Sequence, residues 1–295
     1  MMNAASISRA DLHIHTLYSD GTDTAEKLLE TVKAVGLDLF SITDHDTFKG
    51  CTRMMRILKS TDPCFIPGIE FSCKSADGRK YHILGYAFRM KGSEVEKLSE
   101  LCHSLRIEKA HNRLDFLKNK FHFEFSPEET ERLFSLDNPG KPHIGKMMVS
   151  HGYAQSISEA IDRYISEYHG GEGTVTPEEA IFAINASGGI PVLAHGPFGD
   201  GDQLLDKKEL VRRADMLTAA GLKGMECFYS GFSNGQESFM LELCKKYSLL
   251  STAGSDYHGE NKAISIGNVS KTPYANIAPY IRTFAKEAFA RMDLC

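Results

Sequence analysis

Short apolar runs that end in polar, metal-capable side chains recur in the first and last thirds of the sequence. These runs contain many β-branched residues and are separated by helix-periodic stretches, as is typical of buried strands in βα units. About seven of them occur, at residues 12–15, 39–43, 65–69, 81–86, 190–194, 224–229 and 249–254. We therefore expect an α/β fold whose strands form a closed or nearly closed barrel, with the active site at the carboxyl ends of the strands.

The middle of the chain differs from both ends, because it is charged, helix-periodic and interrupted by Pro and Gly. The helices predicted there cover residues 93–120, 128–134, 144–151 and 157–168. We expect a metal-binding barrel over residues 1–95 and 186–295. A small helical insertion domain over residues 96–185 should separate its two parts and contribute to substrate binding.

One helix of the first part is also clear in the sequence. Residues 24–35 carry apolar side chains at helical spacing. Thr22 or Asp23 could cap the first turn, and Gly36 suits the left-handed residue that commonly follows a helix. We expect a helix that ends at Gly36.

Composition and charge exclude some classes of protein. The formal net charge of −5 argues against a protein held on nucleic acid by bulk positive charge, although a local basic pocket could still bind a short acidic substrate. The first residues lack a basic segment followed by an apolar core, and no apolar run approaches the ~18 residues that span a bilayer. We expect a cytoplasmic protein that does not enter a membrane.

The seven cysteines are scattered and form no CxxC pair, which disfavours a disulfide framework or a thiolate zinc site. We expect all of them to be reduced thiols. They are Cys51, Cys64, Cys73, Cys102, Cys227, Cys244 and Cys295.

Histidines and carboxylates concentrate where the apolar runs end. His13 and His15 lie two residues apart at a predicted strand end, so both rings can face one ion. Asp256 and His258 form a second pair with the same spacing, and Asp20 lies in a Ser-Asp-Gly turn that can fold back on the site. Imidazole and carboxylate ligands together suit Zn²⁺, Mn²⁺ or Fe²⁺ better than Ca²⁺.

Taken together, these motifs resemble the PHP (polymerase and histidinol phosphatase) family, in particular its bacterial branch of 3′,5′-nucleoside bisphosphate phosphatases and 5′→3′ exoribonucleases. The motifs lie at residues 11–16, 19–21, 42–47, 68–70, 82–86, 194–195 and 254–258. The resemblance covers nearly the whole chain, including the position of the insertion. One departure is the Gly196 that follows His195, since the family more often has proline there. The resemblance implies a distorted (β/α)7 barrel with three metal ions.

The resemblance also implies nine metal ligands, namely His13, His15, Asp20, His45, Glu70, His82, His195, Asp256 and His258. By motif, His13 and His15 would share the first ion with Glu70 and Asp256. Glu70 would bridge to a second ion, and the other five ligands would divide between the second and the third ion. His82 and His195 complete the second, whereas Asp20, His45 and His258 hold the third. A catalytic role is expected for Asp20, His45, Glu70, His195 and His258.

The charges of this ligand set are consistent with phosphate chemistry. Three ligand carboxylates would leave three divalent ions with a net charge of about +3, which a phosphate dianion and a hydroxide can neutralise. The mechanism implied is attack of a metal-activated hydroxide on phosphorus without a covalent enzyme intermediate. Asp44 and Asp46 could orient ligand histidines, or Asp46 could cap the next helix.

Several residues outside the ligand set are candidates for substrate binding. They are Arg106, Lys109, Arg113, Lys141, His143 and Tyr229. The first three lie at i, i+3 and i+7 and share one helix face, which could bind a second phosphate or simply be solvated. Lys141 replaces an arginine of the family and loses its bidentate fork. His143 could contact phosphate, and Tyr229 could stack on a nucleoside or merely pack.

We expect a metal-dependent phosphoric ester hydrolase that releases phosphate from small nucleotides of the 3′,5′-bisphosphate type or trims short RNA from its 5′ end. Its cofactors should be three divalent ions (Mn, Fe or Zn), and its partner a small phosphorylated substrate, with no stable protein partner. The alternatives are a phosphatase of the histidinol phosphate type, a metal-dependent amidohydrolase and a non-catalytic metal-binding module. The occupation of all nine ligand positions argues against the last.

Overall fold

The computed structural model describes residues 4–170, 173–198 and 204–292. Packing divides the chain into two units, of which one comprises Glu100–Thr174 and the other the remaining described residues. The α-helices of the described ranges are α1 (Ala25–Val35), α2 (Lys49–Ile57), α3 (Glu94–Phe121), α4 (Pro127–Phe134), α5 (Lys141–Ser150), α6 (Ile157–Arg163), α7 (Pro177–Ala186), α8 (Lys207–Ala219), α9 (Asn234–Tyr247) and α10 (Tyr274–Met292). The strands are β1 (Ala10–Asp11), β2 (Leu39–Phe40), β3 (Cys64–Phe65), β4 (Gly68–Lys74), β5 (Lys80–Tyr86), β6 (Ile190–Leu193), β7 (Gly224–Tyr229) and β8 (Leu250–Gly254).

The strands of the larger unit form two sheets, which confirms the expected mixed α/β fold. One sheet has the parallel order β1-β2-β3, and the other has the order β4-β5-β6-β7-β8. Two isolated parallel bridges, Ile14 with Tyr257 and His45 with Glu70, continue the pairing beyond the named strands. Among the described residues the two sheets do not join into one closed sheet.

The second sheet departs from the regular βα alternation that the sequence predicts. Strands β4 and β5 pair antiparallel, as do β5 and β6, whereas β6, β7 and β8 are parallel. Only residues 75–79 connect β4 to β5, and the Gly78 amide closes this turn on the Ser75 carbonyl. A connection this short suits a hairpin, since a parallel crossover needs a dozen or more residues.

Helix α1 ends as predicted, but its first residue is Ala25, one residue later than predicted. Gly36 has a φ of +69° and its amide donates to the Lys33 carbonyl. The cap is Thr24, whose side chain accepts from the Lys27 amide. Thr22 and Asp23 serve other partners, because Thr22 Oγ1 accepts from the Glu260 amide and Asp23 accepts from the Tyr257 hydroxyl.

The apolar face of α1 packs into a core beneath the first sheet. Fully buried members of this core include Ile14, Leu28, Val32, Phe40, Ile42 and Met54. Because Ile14 lies between His13 and His15 in the chain, its burial fixes the side on which its two neighbours emerge. The core thus positions the first candidate ligands.

The smaller unit, Glu100–Thr174, is helical and has a core of its own. Helix α4 begins with a capping box in which Ser126 and Glu129 satisfy each other's amides. Phe123 stacks on Tyr153 with ring centroids 4.3 Å apart. Buried residues of this core include Ala110, Leu117, Ile144, Met148, Ala160 and Ile165.

The cysteines of the described residues form no disulfide. Cys51, Cys64, Cys73, Cys102, Cys227 and Cys244 carry free thiols, as predicted, whereas Cys295 lies outside the described residues.

Within the described ranges, no helix combines the length and the apolar character needed to cross a bilayer.

Replacing Leu28 by alanine should lower the free energy of unfolding of the metal-free protein by about 2–5 kcal/mol, because it leaves a cavity beneath the first sheet. Urea titration followed by circular dichroism measures this. Met55→Ala is the matched control: the Met55 side chain is 49% exposed and its loss should cost less than about 0.5 kcal/mol. Equal losses in the two variants would contradict the placement of α1.

Candidate metal centre

The nine predicted ligands come from segments that follow or belong to strands of the larger unit. His13 and His15 follow β1, His45 follows β2, and His195 follows β6. Glu70 lies within β4 and His82 within β5, which is the antiparallel hairpin. The other three are Asp20, in the loop after His15, and Asp256 and His258, directly after β8. Eight of the nine thus lie within strands or in the segments that follow them, and the structure brings all nine into contact with another member of the set.

Two carboxylates lie close to the imidazoles of both His13 and His15. The Nε2 atoms of His13 and His15 lie 3.3 and 3.2 Å from Glu70 Oε2. The same two nitrogens lie 3.5 and 3.4 Å from Asp256 Oδ1. A tetrahedral ion with bonds of about 2.0–2.2 Å separates its ligand atoms by about 3.3–3.6 Å. The spacing therefore fits one ion among His13, His15 and Glu70, with Asp256 Oδ1 close to both imidazoles.

A second group uses the other oxygen of Glu70. Glu70 Oε1 lies 3.1 Å from His82 Nδ1 and 3.3 Å from His195 Nε2. The two imidazole nitrogens are 3.2 Å apart. These three atoms are close enough together for one ion to contact all of them.

The third group is more open. His258 Nε2 lies 3.2 Å from Asp20 Oδ1, and His45 Nε2 lies 3.8 Å from Asp20 Oδ2. The Asp20 side chain is 41% exposed. His15 is also within reach of this group, and His45 Nδ1 lies 3.1 Å from Glu70 Oε2. His45 therefore lies between the third group and Glu70.

Buried polar atoms give an independent indication of a cation. Glu70 is 1% exposed, and within the described residues neither of its oxygens receives a hydrogen bond from a donor outside the cluster. The same is true of the Nε2 atoms of His13 and His15. A buried carboxylate without compensation is costly, and a divalent cation supplies that compensation. The donor set fits a divalent metal.

The electrostatic coupling within the cluster is strong. Burial lowers the pKa of His13, but the charges of Glu70, Glu226 and Asp256 outweigh it and raise the pKa well above its ordinary value. Burial raises the pKa of Glu70, yet the facing imidazoles hold it well below its usual range. The site thus attracts positive charge, which can be either protons or metal ions.

The two aspartates next to His45 hold the loops of the site. Asp44 accepts hydrogen bonds from the Thr16 amide and hydroxyl and from the Ser19 hydroxyl. Asp46 Oδ1 accepts from the Ser72 amide. Helix α2 has Phe48 at its N-cap position, without a side-chain cap, so the capping role considered for Asp46 is wrong.

Two charged residues at the cluster are not among the site residues that the sequence predicts. Glu226, in β7, is fully buried and contacts His13 Nδ1 at 3.0 Å. Lys262 donates to Asp256 Oδ2 at 2.6 Å and is 42% exposed. A carboxylate inside the apolar run of β7 was the available signal for Glu226, whereas nothing near Lys262 in the sequence marks it.

The predicted substrate residues lie in both units. Arg106, Lys109 and Arg113 are on α3, in the smaller unit. At the start of α5 in the same unit, Lys141 Nζ donates to Ser166 Oγ and His143 Nδ1 accepts from the Gly140 amide. In the larger unit, the Tyr229 hydroxyl donates to Asp256 Oδ2 at 2.9 Å. Substrate binding by these six residues stays a prediction.

The mixed α/β fold and its buried imidazole–carboxylate cluster are typical of a metal-dependent hydrolase. Residues 11–175, more than half of the chain, match the model of the PHP domain. The chain therefore belongs to the PHP domain family, and the predicted family is confirmed.

Curated relatives match most of the chain. It is 29% identical over 260 residues to a phosphoribosyl 1,2-cyclic phosphate 1,2-diphosphodiesterase of Eggerthella lenta, covering 85% of this chain and 94% of that protein. A 5′-3′ exoribonuclease of Haemophilus influenzae is 26% identical, with coverages of 84% and 89%. A 3′,5′-nucleoside bisphosphate phosphatase of Chromobacterium violaceum is 23% identical, with coverages of 97% and 98%. The prediction of a metal-dependent phosphoesterase, a hydrolytic enzyme, is confirmed.

A solved structure supports the fold. A protein of Bifidobacterium adolescentis, described as a candidate metal-dependent phosphoesterase, superposes with a TM-score of 0.75 at 24% identity. The match covers 92% of this chain and 96% of that one. At this identity the likeness supports the fold alone.

Binding of Mn²⁺ to the metal-free protein at about pH 7 should release protons, since ligand imidazoles must be neutral to coordinate. Burial lowers the pKa of His15, but hydrogen bonds to Asp256 and Glu70 outweigh it and raise the pKa to about 9. A group with a raised pKa is protonated below it, so the release from His15 should disappear above about pH 9. Titration calorimetry in two buffers with different ionisation enthalpies measures the protons released. Heats independent of the buffer at about pH 7 would contradict the prediction.

Proposed function

We propose that this enzyme hydrolyses phosphate esters of small nucleotides of the 3′,5′-bisphosphate type, or trims short RNA from its 5′ end. The observation that carries the proposal is the pair of Glu70 oxygens, each facing a different group of imidazoles. Adjacent divalent ions that share a carboxylate are suited to hydrolysing a phosphate ester, because they can clamp both the attacking and the leaving oxygen.

We further infer three divalent ions, of Mn, Fe or Zn, held by the nine ligands in the grouping that the family resemblance implies. The short distances from Glu70 to His13, His15 and His195 support the first two positions. The cluster of His15, Asp20, His45 and His258 supports the third. We also propose that the two sheets together act as a distorted (β/α)7 barrel, since the bridges of Ile14 with Tyr257 and His45 with Glu70 continue the pairing between them.

The protein residues would divide the work as follows. When bound, divalent ions lower the pKa of a water molecule to ~7 and neutralise phosphate charge. Asp20, Glu70 and Asp256 supply the negative charge that retains the ions. The Tyr229 hydroxyl and the Lys262 ammonium both donate to Asp256 Oδ2, so Oδ1 stays directed at His13 and His15. The half-exposed Lys262 also places a positive charge beside the cluster, where it would favour an anionic substrate.

The names of the relatives support a nucleotide-type substrate. Those proteins are a phosphoribosyl cyclic phosphate diesterase, an exoribonuclease and a nucleoside bisphosphate phosphatase. Their substrates have a phosphate ester on a sugar of the ribose type in common. We propose the same chemical class for this chain.

We propose that the helical insertion, residues 96–185, supplies the contacts to a second phosphate or to the rest of the nucleotide. Arg106, Lys109 and Arg113 lie on a single helix, α3, at a spacing that places them on one face. Lys141 and His143 occupy the first turn of α5, where the helix dipole favours an anion.

A phosphate-release screen tests the proposed activity. The purified protein, treated with chelator and then supplied with Mn²⁺, is offered a 3′,5′-nucleoside bisphosphate, a short 5′-phosphorylated RNA, a ribosyl cyclic phosphate and histidinol phosphate. We expect turnover of at least one of the first two, and its loss by at least about 10²-fold in Glu70→Gln, which removes the bridging charge. Turnover of histidinol phosphate alone would replace the nucleotide proposal by the alternative phosphatase. No turnover of any ester would contradict the proposed function.

Replacing Arg113 by methionine should raise KM for the 3′,5′-bisphosphate by about tenfold or more, because charged hydrogen bonds contribute about 1.5–3 kcal/mol. Steady-state kinetics measures this. The turnover of p-nitrophenyl phosphate, which has a single phosphate, should change little. Lys118→Met is the control, since Lys118 is on the same helix and its side chain is 64% exposed. An unchanged KM for the bisphosphate in Arg113→Met would contradict the role of the basic face.

A further inference from the structure

We infer that Glu226 is a positioning residue that orients two metal ligands of different groups, His13 and His195. Glu226 lies in β7 and is fully buried. It is not one of the nine predicted ligands, and each of its oxygens has a different partner. The inference deepens the proposed function, because it rests on His13 and His195 holding metal.

The first oxygen fixes the ring of His13. Glu226 Oε1 lies 3.0 Å from His13 Nδ1. A carboxylate can only accept, so Nδ1 must carry the proton of this hydrogen bond. In the neutral ring that binds metal, the lone pair of His13 is then on Nε2, which lies 3.3 Å from Glu70 Oε2 and 3.5 Å from Asp256 Oδ1. Glu226 thereby selects the tautomer that can coordinate an ion and makes that nitrogen more basic.

The second oxygen fixes the backbone of His195. Glu226 Oε2 accepts from the His195 amide at 2.8 Å. His195 has a φ of +27°, a backbone conformation that residues other than glycine rarely adopt without support. The ring held in this way places Nε2 3.3 Å from Glu70 Oε1. One carboxylate therefore supports a ligand on each side of Glu70.

Gly254 leaves the room that this arrangement needs. A Cβ atom on Gly254 would lie 2.2 Å from His13 Cβ and 2.5 Å from Glu226 Oε1. Neither neighbour could tolerate that distance, so the end of β8 must lack a side chain for Glu226 and His13 to meet.

The chemistry of the two contacts separates positioning from mere packing. Glutamine has the shape of glutamate, but one of its two terminal atoms is an NH2 donor. If the NH2 group of glutamine faces His195, the His195 amide loses its acceptor. If the NH2 group faces His13, the ring must change to the tautomer that is protonated on Nε2. If Glu226 only filled space, glutamine would replace it without effect. If it orients ligands, glutamine should weaken metal binding.

The test is Mn²⁺ binding by the full chain, measured by equilibrium dialysis with elemental analysis, for the wild type, Glu226→Gln, Glu226→Asp and Glu237→Gln. Glu237 is a matched control, because it is a buried carboxylate on α9 that accepts from Ser270 and Thr272. We expect Glu226→Gln to bind Mn²⁺ about 10–100-fold more weakly than the wild type. Glu226→Asp keeps an acceptor on both terminal atoms, so its Mn²⁺ affinity should lie between those of the wild type and Glu226→Gln.

Thermal unfolding of the same metal-free proteins separates positioning from stability. Glu237→Gln should lose stability and keep the Mn²⁺ affinity of the wild type, whereas Glu226→Gln should lose the affinity and recover activity with excess Mn²⁺. If Glu226→Gln binds Mn²⁺ as tightly as the wild type, the inference is overturned. If Glu226→Gln does not fold, wild-type Mn²⁺ affinity in Glu226→Asp overturns the inference instead. A wild type that binds Mn²⁺ tightly but hydrolyses no phosphate ester would refute the proposed function and leave this inference standing. A wild type that binds none of Mn²⁺, Fe²⁺ and Zn²⁺ would refute both.

Discussion

The arrangement of the larger unit depends on one buried carboxylate, that of Glu70. Its oxygens each face two or more imidazole nitrogens at 3.1–3.3 Å, and the carboxylate itself is buried. Such a group is costly unless positive charge compensates it. The histidines that approach it come from the segments after β1, β2 and β6 and from β5. The convergence of these strands therefore makes sense only with cations among the side chains.

The sequence predicts the parts of this site whose signal is local. The two-residue spacing of His13 and His15 survives in the structure as two rings facing the same oxygens, and the stop at Gly36 needs only a left-handed glycine. The family resemblance supplies Glu70, His82 and His195, which have no spacing signal of their own. The antiparallel hairpin of β4 and β5 is missed because apolar runs indicate strands without indicating their direction.

Glu226 shows why some functional residues elude sequence reasoning. Its hydrogen bond to His13 spans 213 positions of the chain, so no local pattern links the two. A lone carboxylate in an apolar run signals only that something compensates it. The identity of the partner depends on the pairing of β7 with β8 and on the missing side chain of Gly254, which are properties of the fold.

The position of Glu226 also changes the charge balance expected from the ligands alone. Three ligand carboxylates would leave the three proposed divalent ions with a net charge of about +3, but Glu226 adds a fourth carboxylate that is fully buried. It contacts the Nδ1 side of His13, the side of the ring opposite the nitrogen that faces Glu70, so it acts mainly on the basicity of that ligand. Lys262 restores a positive charge and is half exposed. The two missed residues therefore act in different places: the acid strengthens metal retention from within the fold, and the base keeps the exposed side of the cluster attractive to an anionic ester.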